Sequence, residues 1–321
     1  MAHMIPLVPK KIKPLITEDG AEVAGEILAE VAGEILPPNQ LSANSQPLIA
    51  PPNTLAPISI STTSSLANAR IGWDNKLIEV TTLTGTPPAE NAVAVLIPNT
   101  YERFRINGAG SRWLLFNMAE LTEIDFFAIG GQTIGNGEGN IVTLWTATTL
   151  GGTYTYLNSI TMVGDKPFML LFPAMDVMQI RMSIGTASGG NTLEGSEIAY
   201  ISAGKTLEMQ RGIYGGHAPM DLNEKNNTLN VKSENGQFLG RTQTQIGSKT
   251  LYKWKHLTPE WYRLNFQPFV KSAKKTPFFI MWRPDTYNDT AFGVTTGDIK
   301  PSNMTGGARF LEVSFNMKAA T

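Results

Sequence analysis

The sequence predicts an all-β protein, with two compact β-rich domains behind an extended N-terminal arm. Three observations carry that prediction. Residues 1–65 are rich in Pro, Ser and Ala and contain a duplicated octapeptide, AEVAGEIL at Ala21–Leu28 and again at Ala29–Leu36. From about Ile71 onward, short runs of alternating apolar and polar residues follow one another. Glycine turns such as Asn107-Gly108, Asn136-Gly137 and Gly189-Gly190 separate them. This is the pattern of a sandwich rather than of βαβ units. Finally, 321 residues with 42 % apolar content suffice for two domains that each bury a core.

The arm has three parts. Met1–Ile16 alternates prolines with apolar residues, which favours an extended strand lying on another surface. Ile5, Leu7, Ile12 and Ile16 are its candidate contacts. The duplicated block spaces Val23, Ile27, Leu28, Val31, Ile35 and Leu36 for one short amphipathic helix ended by Pro37 and Pro38. Gly25 and Gly33 oppose it by about 1 kcal/mol each. Ile27 and Ile35 are its candidate contacts. Asn39–Ser65 reads as irregular chain. The recurrent Leu, Ile and Val favour an arm ordered on a neighbouring subunit; a disordered tail is the alternative.

The first domain spans 66–204. Its strand candidates are Asn75–Thr82, Ala92–Ile97, Trp113–Asn117, Glu123–Ile129, Asn140–Thr148, Phe168–Phe172, Val177–Ile184 and Glu197–Ser202. Val177–Ile184 is the clearest, with Met178, Ile180, Met182 and Ile184 on one face and Val177, Gln179, Arg181 and Ser183 on the other. The second domain spans 205–321, with strands expected at Leu229–Lys232, Thr242–Thr244, Tyr262–Gln267, Phe278–Trp282 and Arg309–Met317. Thr258-Pro259-Glu260 also begins a helix, Thr as cap and Pro at the first helical position. That helix overlaps the strand at Tyr262–Gln267.

Composition and charge exclude several functions. Charged residues make up 17 % of the chain, below the usual value of about 25 %; Thr, Asn, Ser, Gly and Pro fill the difference. The net charge of -1 gives no general case for binding nucleic acid. Charge is uneven: segments 1–65, 66–204 and 205–321 carry -3, -5 and +7. Acidic–basic docking between domains or subunits would fit that distribution. The absence of cysteine removes disulfides, thiolate metal sites and cysteine nucleophiles. No apolar run follows Lys10, Lys11 and Lys13 that could serve as signal peptide or membrane span.

No catalytic constellation emerges. His3, His217 and His256 form no HxH or HExxH spacing, and His217, in YGGHAP, reads as a turn residue. Glu120, Glu123 and Asp125 lie close in sequence, and Trp113 and Trp145 could line a glycosidase cleft, but nothing fixes the required carboxylate separation. The loop Gly135–Asn140 is oxygen-rich without matching a calcium loop. Tyr252, Trp254, Trp261, Tyr262, Phe266 and Phe269, interspersed with Lys253, Lys255, Arg263 and Lys271, could stack nucleic-acid bases. A core or an intersubunit contact is the simpler reading. Arg283 would anchor a carboxylate or a backbone oxygen. No cofactor or metal is expected.

In the first domain, RWLLFNMAELTEIDFFAIGGQTIG (112–135), IVTLWTATTLGGTYTYLNS (141–159), MQIRMSI (178–184) and EGSEIAYISAGK (194–205) follow in an order that resembles discoidin-like, galactose-binding-type jelly rolls. GKTLEMQRGIYGGHAP (204–219), ENGQFLGRTQTQIG (234–247) and KTPFFIMWRPDTY (275–287) follow in an order resembling tail-associated structural proteins of tailed bacteriophages. The resemblance covers about 70–321 and implies a discoidin-like jelly-roll sandwich followed by a second β-rich domain. It implies a non-enzymatic virion subunit of the tail, collar or baseplate region, made in the bacterial host cytoplasm. Its partners would be copies of itself and other tail or neck proteins. On this reading Ile5, Leu7, Ile12, Ile16, Ile27, Ile35, Tyr252, Trp254, Trp261 and Arg283 form the assembly interface. The first alternative is a glycan-binding adhesion module that takes a host-surface glycan through loops at one end of the jelly roll, where Tyr101 is the available aromatic residue. A polysaccharide-degrading enzyme is the second.

Overall fold

The computed structural model of the chain describes residues 67–84, 91–107, 111–136, 139–186, 193–285, 289–304 and 309–320. All of them fall within one compact unit, Pro52–Thr321. The expected arm, with Ile5, Leu7, Ile12, Ile16, Ile27 and Ile35 and the helix over the duplication, lies outside the described residues.

The fold is all-β, a jelly-roll sandwich joined to a second sheet. The first strands are β1 (Arg70–Gly72), β2 (Leu77–Thr84), β3 (Phe104–Arg105), β4 (Arg112–Gln132), β5 (Asn140–Ala147), β6 (Thr155–Thr161), β7 (Phe168–Thr186) and β8 (Glu197–Gly204). They are followed by β9 (Leu207–Glu208), β10 (Glu224–Lys232), β11 (Phe238–Leu257), β12 (Phe278–Met281), β13 (Thr290–Thr295), β14 (Lys300–Asn303) and β15 (Leu311–Ala319). A seven-stranded sheet runs β3-β8-β4-β7-β5-β6, with β2 added to β4. An eight-stranded sheet runs β10-β11-β15-β13-β12-β1-β9, with β14 on β15. β1, the first strand among the described residues, therefore belongs to the second sheet.

Two long strands build the sandwich. The expected strands Trp113–Asn117 and Glu123–Ile129 are parts of β4, and Phe168–Phe172 and Val177–Ile184 are parts of β7. Register shifts between Asn117 and Thr122 and between Ile124 and Phe126 bend β4, as bulges do. Its first half pairs with β2 and the end of β7; its second half pairs with β8 and the start of β7. The sheet thus folds over itself into two layers. Leu114, Phe116, Ile180 and Met182 of one layer share a core with Phe127, Ile129, Leu170 and Ile201 of the other. Val177, expected on the outer face with Gln179, turns inward at the β4 bulge and is buried.

Two expected strands are helical. Ala92–Leu96 is a short 3-10 turn entered through Asn91 at φ 58, a conformation asparagine tolerates. A short apolar run does not distinguish the two states by periodicity. Tyr262–Gln267 belongs to a continuous helical stretch formed by Pro259–Trp261, a wide π-turn at Tyr262–Phe266 and Gln267–Ala273. Here the Thr258 cap prevails: its side chain accepts from the Trp261 amide at 3.4 Å, while Gln210 holds both its amide and its hydroxyl. Tyr262, Phe266, Phe269 and Val270 are buried at helical spacing.

That helical face covers the second core. Tyr252 and Trp254, 1 % and 0 % exposed, stack at 5.8 Å there, beside Phe315. They are core residues rather than interface residues, because they are buried with Phe315 in the cluster that the helical residues also join. The same burial, with that of Phe266 and Phe269, removes the base-stacking platform. Trp261 is half-buried against Phe266, and Arg283 pairs with Asp285 in its own turn. As expected, Val313, Phe315 and Met317 of β15 face inward.

The two sheets meet through rings. Phe126, Ala128, Met169, Leu171 and Tyr200 of the jelly roll pack on Phe279, Met281 and Phe292. Tyr200 stacks on Phe292 at 5.8 Å and on Phe279 at 6.1 Å. Gly130 permits this approach: a Cβ there would lie 2.5 Å from the Phe292 ring. A Glu123–Lys205 ion pair sits at the exposed rim.

Candidate functional site

One layer of the jelly roll turns its outer side to solvent, and the alternation of its strands decides what stands there. In β4, Leu114 and Phe116 go to the core, leaving Trp113, Leu115 and Asn117 outside. In β5, Val142 and Leu144 go inward and Thr143 and Trp145 outward. In β7, Ile180, Met182 and Ile184 go inward and Arg181 and Ser183 outward.

Register then places these side chains side by side. Arg181 is opposite Leu115 on one flank and Trp145 on the other, and Trp145 is opposite Tyr156 of β6. Trp113 and Trp145 stack with centroids 5.2 Å apart, across β7. Tyr156, 58 % exposed, stands edge-on to Trp145 at 6.5 Å. The Arg181 guanidinium lies 4.0 Å above the Trp113 ring, 5.6 Å from Trp145 and 5.5 Å from Tyr154. Each ring face presents negative quadrupole density to that cation.

Beside the rings runs a chain of polar side chains. Gln179 accepts from the Gly151 amide at 2.7 Å and the Tyr154 hydroxyl at 3.0 Å. It donates to Asn117 at 2.7 Å, and Asn117 donates to Glu79 of β2 at 3.0 Å. The turn before β6 brings Tyr154 back over the sheet through Gly151 at φ +67. Thr143 and Ser159 add hydroxyls 2.9 Å apart. The result is a sheet face on which Trp113, Trp145 and Tyr154 are half-buried and Tyr156 is exposed, bordered by polar side chains.

The acidic residues near the middle of β4 are otherwise engaged. Asp125 accepts from the Thr206 amide at 2.6 Å and hydroxyl at 3.0 Å, and burial raises its pKa against these bonds. Glu123 pairs with Lys205. Neither is bonded into the ring cluster. Among the described residues, no group of three or more His, Asp or Glu is placed to hold a metal. The Gly135–Asn140 loop is only partly within them. His217 behaves as a turn residue whose Nδ1 meets the Leu251 carbonyl at 3.3 Å.

A shallow cleft of ≈ 430 Å³ lies on the second sheet, lined by Arg211, Tyr214, Lys255, His256 and Phe310 among others. Lys255, 4.0 Å over Tyr214, already pairs with Glu312. Tyr101 is 94 % exposed on the loop before β3, at the sheet edge opposite β6. It is not among the residues the sheet gathers. Trp113 and Trp145 were visible as candidates in the sequence. Arg181 and Gln179 were legible as sharing one strand face, but only the tertiary structure joins them to Asn117, Tyr154 and Tyr156.

No protein-family model matches the chain, and no curated protein sequence does. Several solved structures resemble part of it. One is a pectin binding carbohydrate binding module, 11 % identical, covering 40 % of this chain and 91 % of that one, with a TM-score of 0.33. Another is chitosan-binding module 1 from a chitosanase/glucanase of Paenibacillus sp. IK-5, 14 % identical, covering 41 % and 97 %, with a TM-score of 0.32. A third is a CBM32 module from a family 31 glycoside hydrolase of Clostridium perfringens, 13 % identical, covering 41 % and 99 %, with a TM-score of 0.33. Among the described residues, no helix is long and apolar enough to cross a membrane.

Proposed function

We propose that this chain is a non-enzymatic glycan-binding protein and that the ring-bearing face of the jelly roll is its glycan platform. The observation that carries this reading is the set of Trp113, Trp145, Tyr154 and Tyr156 on one open sheet face, bordered by the Gln179–Asn117–Glu79 chain. A pyranose has faces of C–H bonds and an edge of hydroxyls. Ring faces, electron-rich at their centres, take the C–H bonds; fixed amide and carboxylate oxygens and amide N–H groups take the hydroxyls. An open strand surface supports a ligand without enclosing it, which suits binding rather than turnover.

Titration calorimetry of the full chain against glycans retained on an array, repeated with Trp145→Ala, tests the reading. Losing one stacking ring of a shallow site weakens binding by about tenfold or more, about 1.4 kcal/mol. Unchanged affinity in Trp145→Ala, or no glycan retained at all, would sink the proposal.

A second reading, a structural subunit assembled onto further copies of the chain, is favoured by the β10–β11 ribbon. Leu229, Val231, Phe238 and Leu239 are all exposed along it, and β10 is an edge strand. A two-stranded ribbon exposed on both faces gains little stability alone, and an apolar edge invites pairing. A place in the tail, collar or baseplate region of a bacteriophage is the narrower form of this reading, and none of the comparisons points to it.

A further inference from the structure

Resting on the glycan reading, we infer that the platform selects acidic sugars, with Arg181 taking the carboxylate of a uronic acid residue. Arg181 stands mid-platform, between Leu115 and Trp145 on the flanking strands. Its Nε is buried without a hydrogen-bond partner. Among the described residues no carboxylate forms an ion pair with it, although the chain pairs other arginines, such as Arg105 with Glu197 and Arg283 with Asp285. The carboxylate on the same face, Glu79, is occupied by Asn117 and stands across β4 from Arg181. A guanidinium held against three rings has lost water on those sides; with Nε buried, its two terminal amino groups are the donor pair that matches a carboxylate with two parallel bonds. A uronic acid supplies that carboxylate on the same ring whose C–H face stacks. A neutral hexose offers only a hydroxymethyl group there.

The test uses matched probes, oligogalacturonate and oligomannuronate against their methyl esters, which keep the ring stereochemistry and remove the charge. The full chain is titrated at low salt and at 0.5 M salt. The expected result is a preference of about tenfold or more for an acid over its ester at low salt, shrinking as ions screen the partly exposed pair. Arg181→Gln brings the acid-to-ester ratio to about one, and Arg181→Lys retains part of it; circular dichroism checks that both variants are folded. Equal binding of acid and ester by the natural chain, or a ratio that persists in Arg181→Gln, would overturn the inference while leaving the glycan reading standing. A chain that binds neither these probes nor any arrayed glycan would overturn both.

Discussion

Phe292→Ala is the most informative test of how the two sheets depend on each other. The ring is 2 % exposed, sits 4.6 Å from Phe279 and 5.8 Å from Tyr200, and fills the space left by Gly130. Truncating a fully buried Phe to Ala costs about 3–5 kcal/mol, the transfer of the lost atoms plus the cavity they leave. In a unit of this size each kcal/mol lowers the melting temperature by about 2–4 °C, so the expected shift is roughly 6–20 °C. If the stacked seam binds the sheets into one cooperative unit, calorimetry shows a single transition in both proteins, displaced as a whole in the variant. Urea unfolding followed by tryptophan fluorescence and by far-ultraviolet circular dichroism should then give coincident midpoints. Two separate transitions, with only one displaced by the substitution, would refute the reasoning. A shift below about 3 °C would show that the neighbouring rings close the cavity at little cost.

Two further outcomes are expected. His217, packed 4.9 Å from Tyr252 and 5.3 Å from Trp282, has a pKa lowered by burial, against a smaller opposite effect from its bond to the Leu251 carbonyl. The unfolded ring takes its proton near 6.5 and the folded ring resists it. Its contribution to stability is therefore full above that pH and declines as the pH falls below it. His217→Phe should lose less urea resistance between pH 7.5 and 5.5 than the natural chain; parallel losses would remove His217 as the cause. For the β10–β11 ribbon, light scattering should show a discrete oligomer of the full chain and a monomer of the Phe238→Ser, Leu239→Ser variant. A natural chain that stays monomeric at tens of micromolar would dispose of the self-assembly reading.

Local chemistry in this chain is readable residue by residue. Alternation in β7 identifies Met182 and Ile184 as core and Arg181 and Ser183 as outer residues, because strand period alone sets the face. The Thr258-Pro259 pair marks the start of a helix, since a capping hydroxyl and a proline without an amide both suit that position. The lack of cysteine settles the absence of disulfides. Where two local patterns compete, as at Tyr262–Gln267 and Ala92–Ile97, the period of a short apolar run cannot decide. Burial of Tyr262 and Phe266, with Phe266 edge-on to Phe269, does so for the first.

Tertiary structure decided everything that depends on partners distant in sequence. Lys253 and Lys255 surround Trp254, yet Trp254 is core, because it packs on Tyr252 and Phe315 in the cluster that Phe266 and Phe269 also join. Arg70–Gly72 reads as the beginning of the first domain, yet long-range pairing with Phe279–Met281 makes it part of the second sheet. The platform shows the same division. Sequence places Arg181 on the face opposite Met182 and Ile184 and offers Trp113 and Trp145 as candidate rings. Only the register of β4, β7, β5 and β6, fixed by bulges and by the buried opposite face, sets them against one another, since a one-residue slip would exchange the two faces.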